Sequence, residues 1–186
     1  MRVAMDIVAH GLWAALLCRW QGRERPMRRT TTALTVGMAM APDLLQLTPI
    51  VIGALVLPEG WTALQAYFHA LPNYQSVLPP LVEVLMHHLH CTMHSAIVAS
   101  VVTLIIFKWE GHFWWPLAGW WLHIGIDVFT HSADFYPSPV LYPFTQAGFD
   151  GLAWNTPWFL WLNYASIALV WFWQTYTRPT ERKVDA

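Results

Sequence analysis

The chain has 186 residues, of which 56% are hydrophobic and only 11% are charged. Soluble domains carry about 25% charged residues, so this composition predicts an integral membrane protein. The formal net charge is −1, and no basic patch with interleaved aromatic residues is present, which argues against a nucleic-acid partner. The length suits one helical bundle, so we expect a single membrane-embedded domain over residues 1–186.

Apolar stretches of helical length predict an all-α bundle with about five transmembrane helices. They cover residues 3–20, 32–57, 80–107, 113–129 and 158–176. The segment 133–157 is rich in proline and aromatic residues, and we expect it to fold as an external lid. With five spans, every Lys and Arg except Arg2 lies on one side of the membrane. The positive-inside rule then predicts an N-terminus outside and a C-terminus in the cytoplasm.

Ionisable side chains recur in the first four stretches, although a polar group in hydrocarbon costs several kcal/mol unless it has a partner. Many are three or four residues apart, a spacing that places neighbours on one face of a helix. The residues are Asp6, His10, Asp43, His87, His90, His94, His123 and Asp127. The predicted topology brings them to overlapping depths, so we expect one site in the outer half of the bundle.

The chemistry of this set points to a metal ion. A buried carboxylate without a cation is unfavourable, and these stretches contain no internal Lys or Arg that would neutralise one. Mixed nitrogen and oxygen ligands favour zinc, with manganese or iron as alternatives. The predicted metal ligands are His10, Asp43, His90, His94, His123 and Asp127. Asp43 and Asp127 are also predicted to be catalytic, and the number of ligands leaves room for two metals that activate water for hydrolysis.

Structural interpretations of the same residues stay open. His123 and Asp127 can form a hydrogen-bonded pair that joins two helices, or Asp127 can orient a ligand histidine from behind. Asp43 can cap a helix that is broken at Pro42. His131 is either a further ligand or a loop histidine. A Ser-His-Asp triad built on Ser95 is disfavoured, because no nucleophile elbow is present.

Several motifs resemble one known family. Residues 122–132 read Leu-His-Ile-Gly-Ile-Asp-Val-Phe-Thr-His-Ser, and residues 139–144 read Pro-Val-Leu-Tyr-Pro-Phe. This is similar to the His-x-x-x-Asp-x-x-Thr signature, and the aromatic-aliphatic run after it, of the LexA-regulated, inner-membrane-associated metal-dependent hydrolases (YdjM-like). Ala41-Pro42-Asp43 resembles the Leu-Pro-Asp segment of that family. His94-Ser95 resembles the end of its Thr-His-Ser segment, and His10 resembles its early histidine.

The resemblance implies a multi-pass protein of the bacterial cytoplasmic (inner) membrane with metal-dependent hydrolase activity. We expect it to hydrolyse an ester or phosphoester, with membrane lipids as the source, because the site lies at headgroup depth. The alternative is a structural or accessory subunit of a larger membrane complex, which keeps the scaffold with a structural metal or none. Two departures from the family pattern favour that alternative: Leu44 and Leu45 follow Asp43, and Met93 replaces a threonine.

Overall fold

The computed structural model describes residues 2–23, 26–69, 77–133, 137–154 and 156–177, with side chains from Ile7 onward. Within these ranges the chain forms seven α-helices that pack as a bundle, so the predicted all-α class is confirmed. The helices are α1 (Arg2–Gln21), α2 (Arg29–Val56), α3 (Gly60–His69), α4 (Pro80–Met93), α5 (Ala96–Glu110), α6 (Leu117–Thr130) and α7 (Pro157–Tyr176).

The long helix α2 is the centre of the bundle and packs against α1, α3, α4 and α6. Pro42 and Pro49 lie inside it, and each proline removes a backbone N–H and favours a bend. The Leu45 carbonyl, which loses its helical donor at Pro49, accepts a hydrogen bond from Thr48 Oγ1 at 2.6 Å. The helix therefore continues past both prolines, and along its length it packs against four neighbouring helices.

Close packing of α6 on α2 depends on Gly119. A Cβ atom at this position would lie 2.0 Å from the Thr35 carbonyl oxygen of α2, so only glycine allows this approach. His123 lies one turn further along α6, and the short distance between the two backbones brings its ring to α2. On its other side α6 packs on α5 through a core that includes Ala99, Trp120 and Ile124.

The last helix, α7, packs on α1. Ala9, Leu16 and Ile167 form the apolar contact between the two helices. Trp13 Nε1 donates to Asn163 Oδ1 at 2.9 Å, so a polar bond also fixes their register. Because α7 supplies none of the predicted site residues, its contribution is to hold α1 against the rest of the bundle.

The helices correct the predicted number of membrane spans. In the described ranges, α2 alone is long and apolar enough to cross a membrane, and α4 with α5 makes a second crossing if the two count as one span bent by 60°. The α6 helix has 14 residues, or about 21 Å, which is shorter than a hydrocarbon core of roughly 30 Å. The five predicted spans therefore reduce to one or two, and the orientation that was derived from five crossings loses its basis.

The predicted third span, 80–107, is divided for a local reason. Ser95 caps α5, because its Oγ accepts a hydrogen bond from the Val98 N–H at 3.1 Å. Serine at this position competes well with a continuous helix, since it satisfies a donor that the new helix leaves open. As a result α4 ends at Met93, and His94 lies at the junction between the two helices.

Candidate metal centre

Four side chains from three parts of the fold meet in the core of the bundle. Asp43 comes from α2, His94 from the α4–α5 junction, and His123 and Asp127 from α6. One ligand atom from each residue lies within 4.8 Å of all the others. Three of these side chains are 0% exposed, whereas Asp43 is 13% exposed. The group is therefore closed to solvent except beside Asp43.

Backbone carbonyls orient both histidines of this group. His123 Nδ1 lies 2.8 Å from the Ala39 carbonyl oxygen, and His94 Nδ1 lies 2.9 Å from the His90 carbonyl oxygen. A carbonyl only accepts, so each Nδ1 carries a proton, and each Nε2 presents a lone pair when the ring is neutral. The two Nε2 atoms lie 3.0 Å apart. Two lone pairs at this distance repel each other unless a positive charge lies between them.

Both carboxylates face the same pair of Nε2 atoms. Asp127 Oδ2 lies 2.9 Å from His94 Nε2 and 3.1 Å from His123 Nε2. Asp43 Oδ1 lies 3.6 Å and 3.8 Å from the same two atoms. Beyond the histidines around them, no described residue donates a hydrogen bond to Asp43 Oδ2 or to either oxygen of Asp127. The centre thus consists of imidazole nitrogens and carboxylate oxygens that face one another around one volume.

This arrangement fits a divalent metal ion. With zinc–ligand bonds of about 2.0–2.1 Å, the four ligands of a tetrahedral ion lie about 3.3 Å from one another. The distances from Nε2 to the carboxylate oxygens, 2.9 to 3.8 Å, fall on both sides of that value. Two carboxylates also neutralise the charge of one divalent cation in a buried core. The four residues therefore form a buried His₂Asp₂ cluster compatible with a metal ion.

Local backbone features place these ligands. Asp43 follows Pro42 directly, and Ala39, one turn before Asp43, offers its carbonyl to His123 across the helix contact. At the α4–α5 junction, Trp120 Nε1 donates to the Met93 carbonyl at 2.6 Å and satisfies an acceptor at the end of α4. The first contact orients the ring of His123, and the second holds the end of α4 next to His94.

His10 lies beside the cluster, as a predicted ligand should. Its Nε2 atom is 3.0 Å from Asp127 Oδ1 and 3.9 Å from Asp43 Oδ2. Its ring centre is 4.1 Å from that of His123. On each carboxylate, His10 therefore faces the oxygen that does not face His94. The side chain of Asp6, which the sequence placed on the same face, lies outside the described residues.

His90 is buried next to the cluster, but its ring nitrogens contact other groups. Nδ1 lies 3.2 Å from Gln46 Oε1, and Nε2 lies 3.3 Å from the Pro137 carbonyl oxygen. Its ring centre is 4.2 Å from that of His94, and its carbonyl accepts the bond from His94 Nδ1. Direct metal ligation by His90 stays a prediction. Its contacts with His94 help to hold the ring of His94 in place.

His87, which the helical spacing grouped with His90 and His94, does not join them at the cluster. His87 is exposed, and its Nε2 lies 3.6 Å from Cys91 Sγ. It precedes His94 by seven residues, or about 10 Å along a helix, so sharing a face does not bring it to the same depth. Of these three histidines, His94 alone belongs to the four-residue cluster, and His90 is its neighbour.

Two residues that lie near the cluster, Gln46 and His131, were only weakly indicated by the sequence. Gln46 is a buried amide three residues after Asp43, a spacing that already placed it near the same face of α2. His131 lies just past α6, with Nε2 at 3.6 Å from Asp127 Oδ2. The carbonyls of Ala39, His90 and Pro137 had no signal at all, because every residue carries one.

The segment expected to act as a lid contacts the junction that carries His94. Ser95 Oγ donates to the Tyr142 carbonyl at 2.6 Å, and the Ala96 N–H donates to the Val140 carbonyl at 2.9 Å. Pro137, in the same segment, contacts His90. Residues 134–136 and 155 of the predicted lid lie outside the described residues. The part that begins at Pro137 is hydrogen-bonded to the region around His90 and His94.

The chain matches no protein-family model, and no curated protein and no solved structure matches it. Fold and geometry therefore define its class: an all-α bundle with a buried His–Asp cluster that is suited to a metal ion. The resemblance to the inner-membrane hydrolases stays a prediction from the sequence.

Proposed function

We propose that this protein is a membrane-embedded, metal-dependent hydrolase that cleaves an ester or phosphoester bond in a lipid. The convergence of the Nε2 atoms of His94 and His123 on Asp127 Oδ2 carries this proposal. Neutral imidazoles with carboxylates are the ligands of hydrolytic zinc sites, which use three protein ligands and keep the fourth position for water or substrate. In this proposal the three ligands are His94, His123 and Asp127, since Asp43 Oδ1 lies further from the two Nε2 atoms, at 3.6 and 3.8 Å.

Each member of the cluster has a distinct part in this proposal. His94, His123 and Asp127 hold the cation in a closed core, since they are fully buried. Asp43 is the partly exposed member, so water and substrate enter past its carboxylate. A divalent cation bound there supplies Lewis acidity, which polarises the scissile group and lowers the pKa of water.

The reaction adds one water molecule across the ester bond. The water oxygen bonds to the carbonyl carbon or the phosphorus, and the bond from that atom to the alcohol oxygen breaks. The alcohol leaves with one proton of the water, and the acid product keeps the new oxygen. Any remaining proton reaches solvent on the side of Asp43, where the cluster is open.

The exterior of the protein supports a lipid as the source of the substrate. Large apolar side chains are exposed along α7: Trp158, Trp161, Leu162, Leu169, Trp171, Phe172 and Trp173. Soluble monomers rarely expose contiguous apolar patches of this kind. Leu44 and Leu45, which follow Asp43 in α2, are also exposed, so the open side of the cluster has an apolar border. We infer that lipid chains cover these surfaces.

Elemental analysis combined with an activity screen tests this proposal. The full chain is purified in mild detergent, its zinc, manganese and iron are measured by mass spectrometry, and lipid esters and phosphoesters are offered as substrates. We expect at least one metal ion per chain, and hydrolysis that a chelator abolishes. His94→Ala should lose both, whereas His112→Ala, which removes an exposed histidine in the turn after α5, should keep both.

Two other results would change the assignment. Undiminished turnover in metal-free protein would overturn the hydrolase mechanism. A bound metal without turnover on either substrate class would favour the accessory-subunit alternative, in which the metal is structural.

A further inference from the structure

The two carboxylates of the cluster divide their oxygens between two sides. Asp127 directs Oδ2 to His94 and His123, and it directs Oδ1 to His10, whose Nε2 lies 3.0 Å away. Asp43 shows the same division: Oδ1 lies 3.6 Å from His94 Nε2, and Oδ2 lies 3.9 Å from His10 Nε2. A carboxylate that offers one oxygen to each side is arranged as a bridge.

We propose a second cation position on the His10 side, formed by His10 Nε2, Asp43 Oδ2 and Asp127 Oδ1. Asp43 and Asp127 then bridge this position and the one held by His94 and His123. The inference rests on the proposed function, because it requires the first position, and it extends that function from one metal to two.

The state of the bridging oxygens supports this second position. Asp43 Oδ2 is buried, and no described residue donates a hydrogen bond to it. Asp127 is 0% exposed, and the polar atom that faces its Oδ1 is His10 Nε2, at 3.0 Å. A buried carboxylate oxygen without a donor is unfavourable, and a cation beside His10 removes this penalty.

The fold holds the two sides independently. His10 belongs to α1, which the contacts of Trp13 and Asn163 fix against α7. His94 and His123 are oriented by other contacts, with the carbonyls of His90 and Ala39, although the ring centre of His123 lies 4.1 Å from that of His10. Because the supports of His10 differ from those of His94 and His123, the two positions can be tested separately by substitution.

Charge then selects the substrate class. Two carboxylates balance one divalent ion, and a second divalent ion leaves two positive charges in a closed core. An anionic phosphate group neutralises this excess, whereas a neutral carboxylic ester does not. Two-metal sites, in which the ions lie about 3.5–4 Å apart, serve phosphoester hydrolysis in phosphatases and nucleases, where they stabilise both the attacking and the leaving oxygen. The second position therefore assigns a phosphoester as substrate: water adds to phosphorus, the bond to the alcohol oxygen breaks, and the alcohol leaves with a proton.

Manganese binding tests the second position without relying on activity. Metal-free full-length protein in detergent is titrated with MnCl₂ alone, and stoichiometry and the electron paramagnetic resonance spectrum are recorded. We expect two Mn²⁺ per chain and the spectrum of an exchange-coupled pair. His10→Ala and the milder His10→Gln should each bind one Mn²⁺ with the six-line spectrum of an isolated ion. His112→Ala should resemble the wild type.

Inorganic phosphate tests the substrate class on the same samples. Millimolar phosphate should alter the coupled spectrum of the wild type and leave the isolated-ion spectrum of His10→Ala nearly unchanged. A coupled spectrum that phosphate does not alter would overturn the phosphoester assignment.

The outcomes separate the second position from the proposed function. One isolated Mn²⁺ in the wild type overturns the second position and leaves the single-metal hydrolase intact. No bound Mn²⁺ in the wild type overturns the second position, and the measurement of zinc and iron in the purified protein then decides the proposed function by itself. A folded His10→Ala protein that still binds a coupled pair, or that binds no ion, shows that His10 is not the ligand of a separate position. Circular dichroism establishes folding of each variant, and the wild-type result needs no variant.

Discussion

The Nε2 atoms of His94 and His123 lie 3.0 Å apart, although 29 positions separate the two residues in the chain. Neither ring can turn its lone pair away, because a backbone carbonyl holds each Nδ1 from behind. This preorganisation resembles that of metal sites, in which a second group fixes the tautomer and orientation of each ligand histidine. The geometry of the centre therefore depends on the backbone carbonyls of His90 and Ala39 as much as on the ligand side chains.

Asp127→Asn should abolish tight metal binding while the helix bundle stays folded. The amide has nearly the shape of the carboxylate but lacks its charge, and it introduces a donor beside His94 and His123. We expect an affinity for zinc at least 100-fold lower, by comparison with the 10- to 100-fold loss that changes behind a ligand produce. Competition with a chromophoric chelator measures it, and Asp150→Asn, at an exposed loop carboxylate, is the control.

His90→Gln and His94→Gln should differ in magnitude. His90 bonds to Gln46 and Pro137 through its ring, so its replacement disturbs the position of His94 without removing a member of the four-residue cluster. We expect roughly a 10-fold loss of metal affinity for His90→Gln and complete loss for His94→Gln. Equal and complete loss in both variants, at equal folding, would instead identify His90 as a direct ligand. Chelator competition on the two proteins side by side decides between these outcomes.

Gly119→Ala should destabilise the bundle, because its Cβ would lie 2.0 Å from the Thr35 carbonyl oxygen and push α6 from α2. Overpacking of this kind costs typically about 1–3 kcal/mol, and it also displaces His123. Gly125→Ala in the same helix has nothing within 4 Å of the new Cβ and should be neutral or slightly stabilising. Thermal unfolding in detergent compares the two, and a similar Tm for both would contradict the close contact.

Ser95→Ala should loosen the junction between α4 and α5. The serine hydroxyl accepts from Val98 N–H and donates to the Tyr142 carbonyl, so the change removes a helix cap and a tie to the loop. Loss of an N-cap costs about 0.5–2 kcal/mol. We expect a lower Tm and faster proteolysis within residues 137–144, with Ser166→Ala on the exposed face of α7 as the matched control. Unchanged proteolysis would argue against the tie.

Zinc should stabilise the wild type by an amount that rises with the logarithm of the free zinc concentration above the Kd. A ligand that binds only the folded protein adds about 2.7 kcal/mol at 100 times its Kd. The Tm of metal-free protein should therefore rise on addition of zinc, whereas the Tm of His123→Ala should stay constant. A rise of equal size in both proteins would place the zinc outside the cluster.

Helical periodicity made much of the site predictable. The spacing of His123 and Asp127 put both side chains on one face of α6, and Pro42-Asp43 marked a carboxylate in a disturbed part of α2. Because histidines and carboxylates are unfavourable in an apolar core unless they meet, their presence in separate helices already predicted that they converge. The all-α class and a centre of imidazoles and carboxylates therefore followed from the sequence alone.

The tertiary structure decided how deep each side chain lies in the bundle and in which direction it points, and helical periodicity encodes neither. His87 shares a face with His94 but lies about 10 Å away along the helix, and His90 turns its nitrogens to Gln46 and Pro137. The number of spans changed because Ser95 caps a new helix within one apolar run. The division of the carboxylate oxygens between His10 and the opposite histidines also appeared only in three dimensions. It depends on where whole helices pack, and that is set by contacts between residues distant in sequence, such as Gly119 with Thr35.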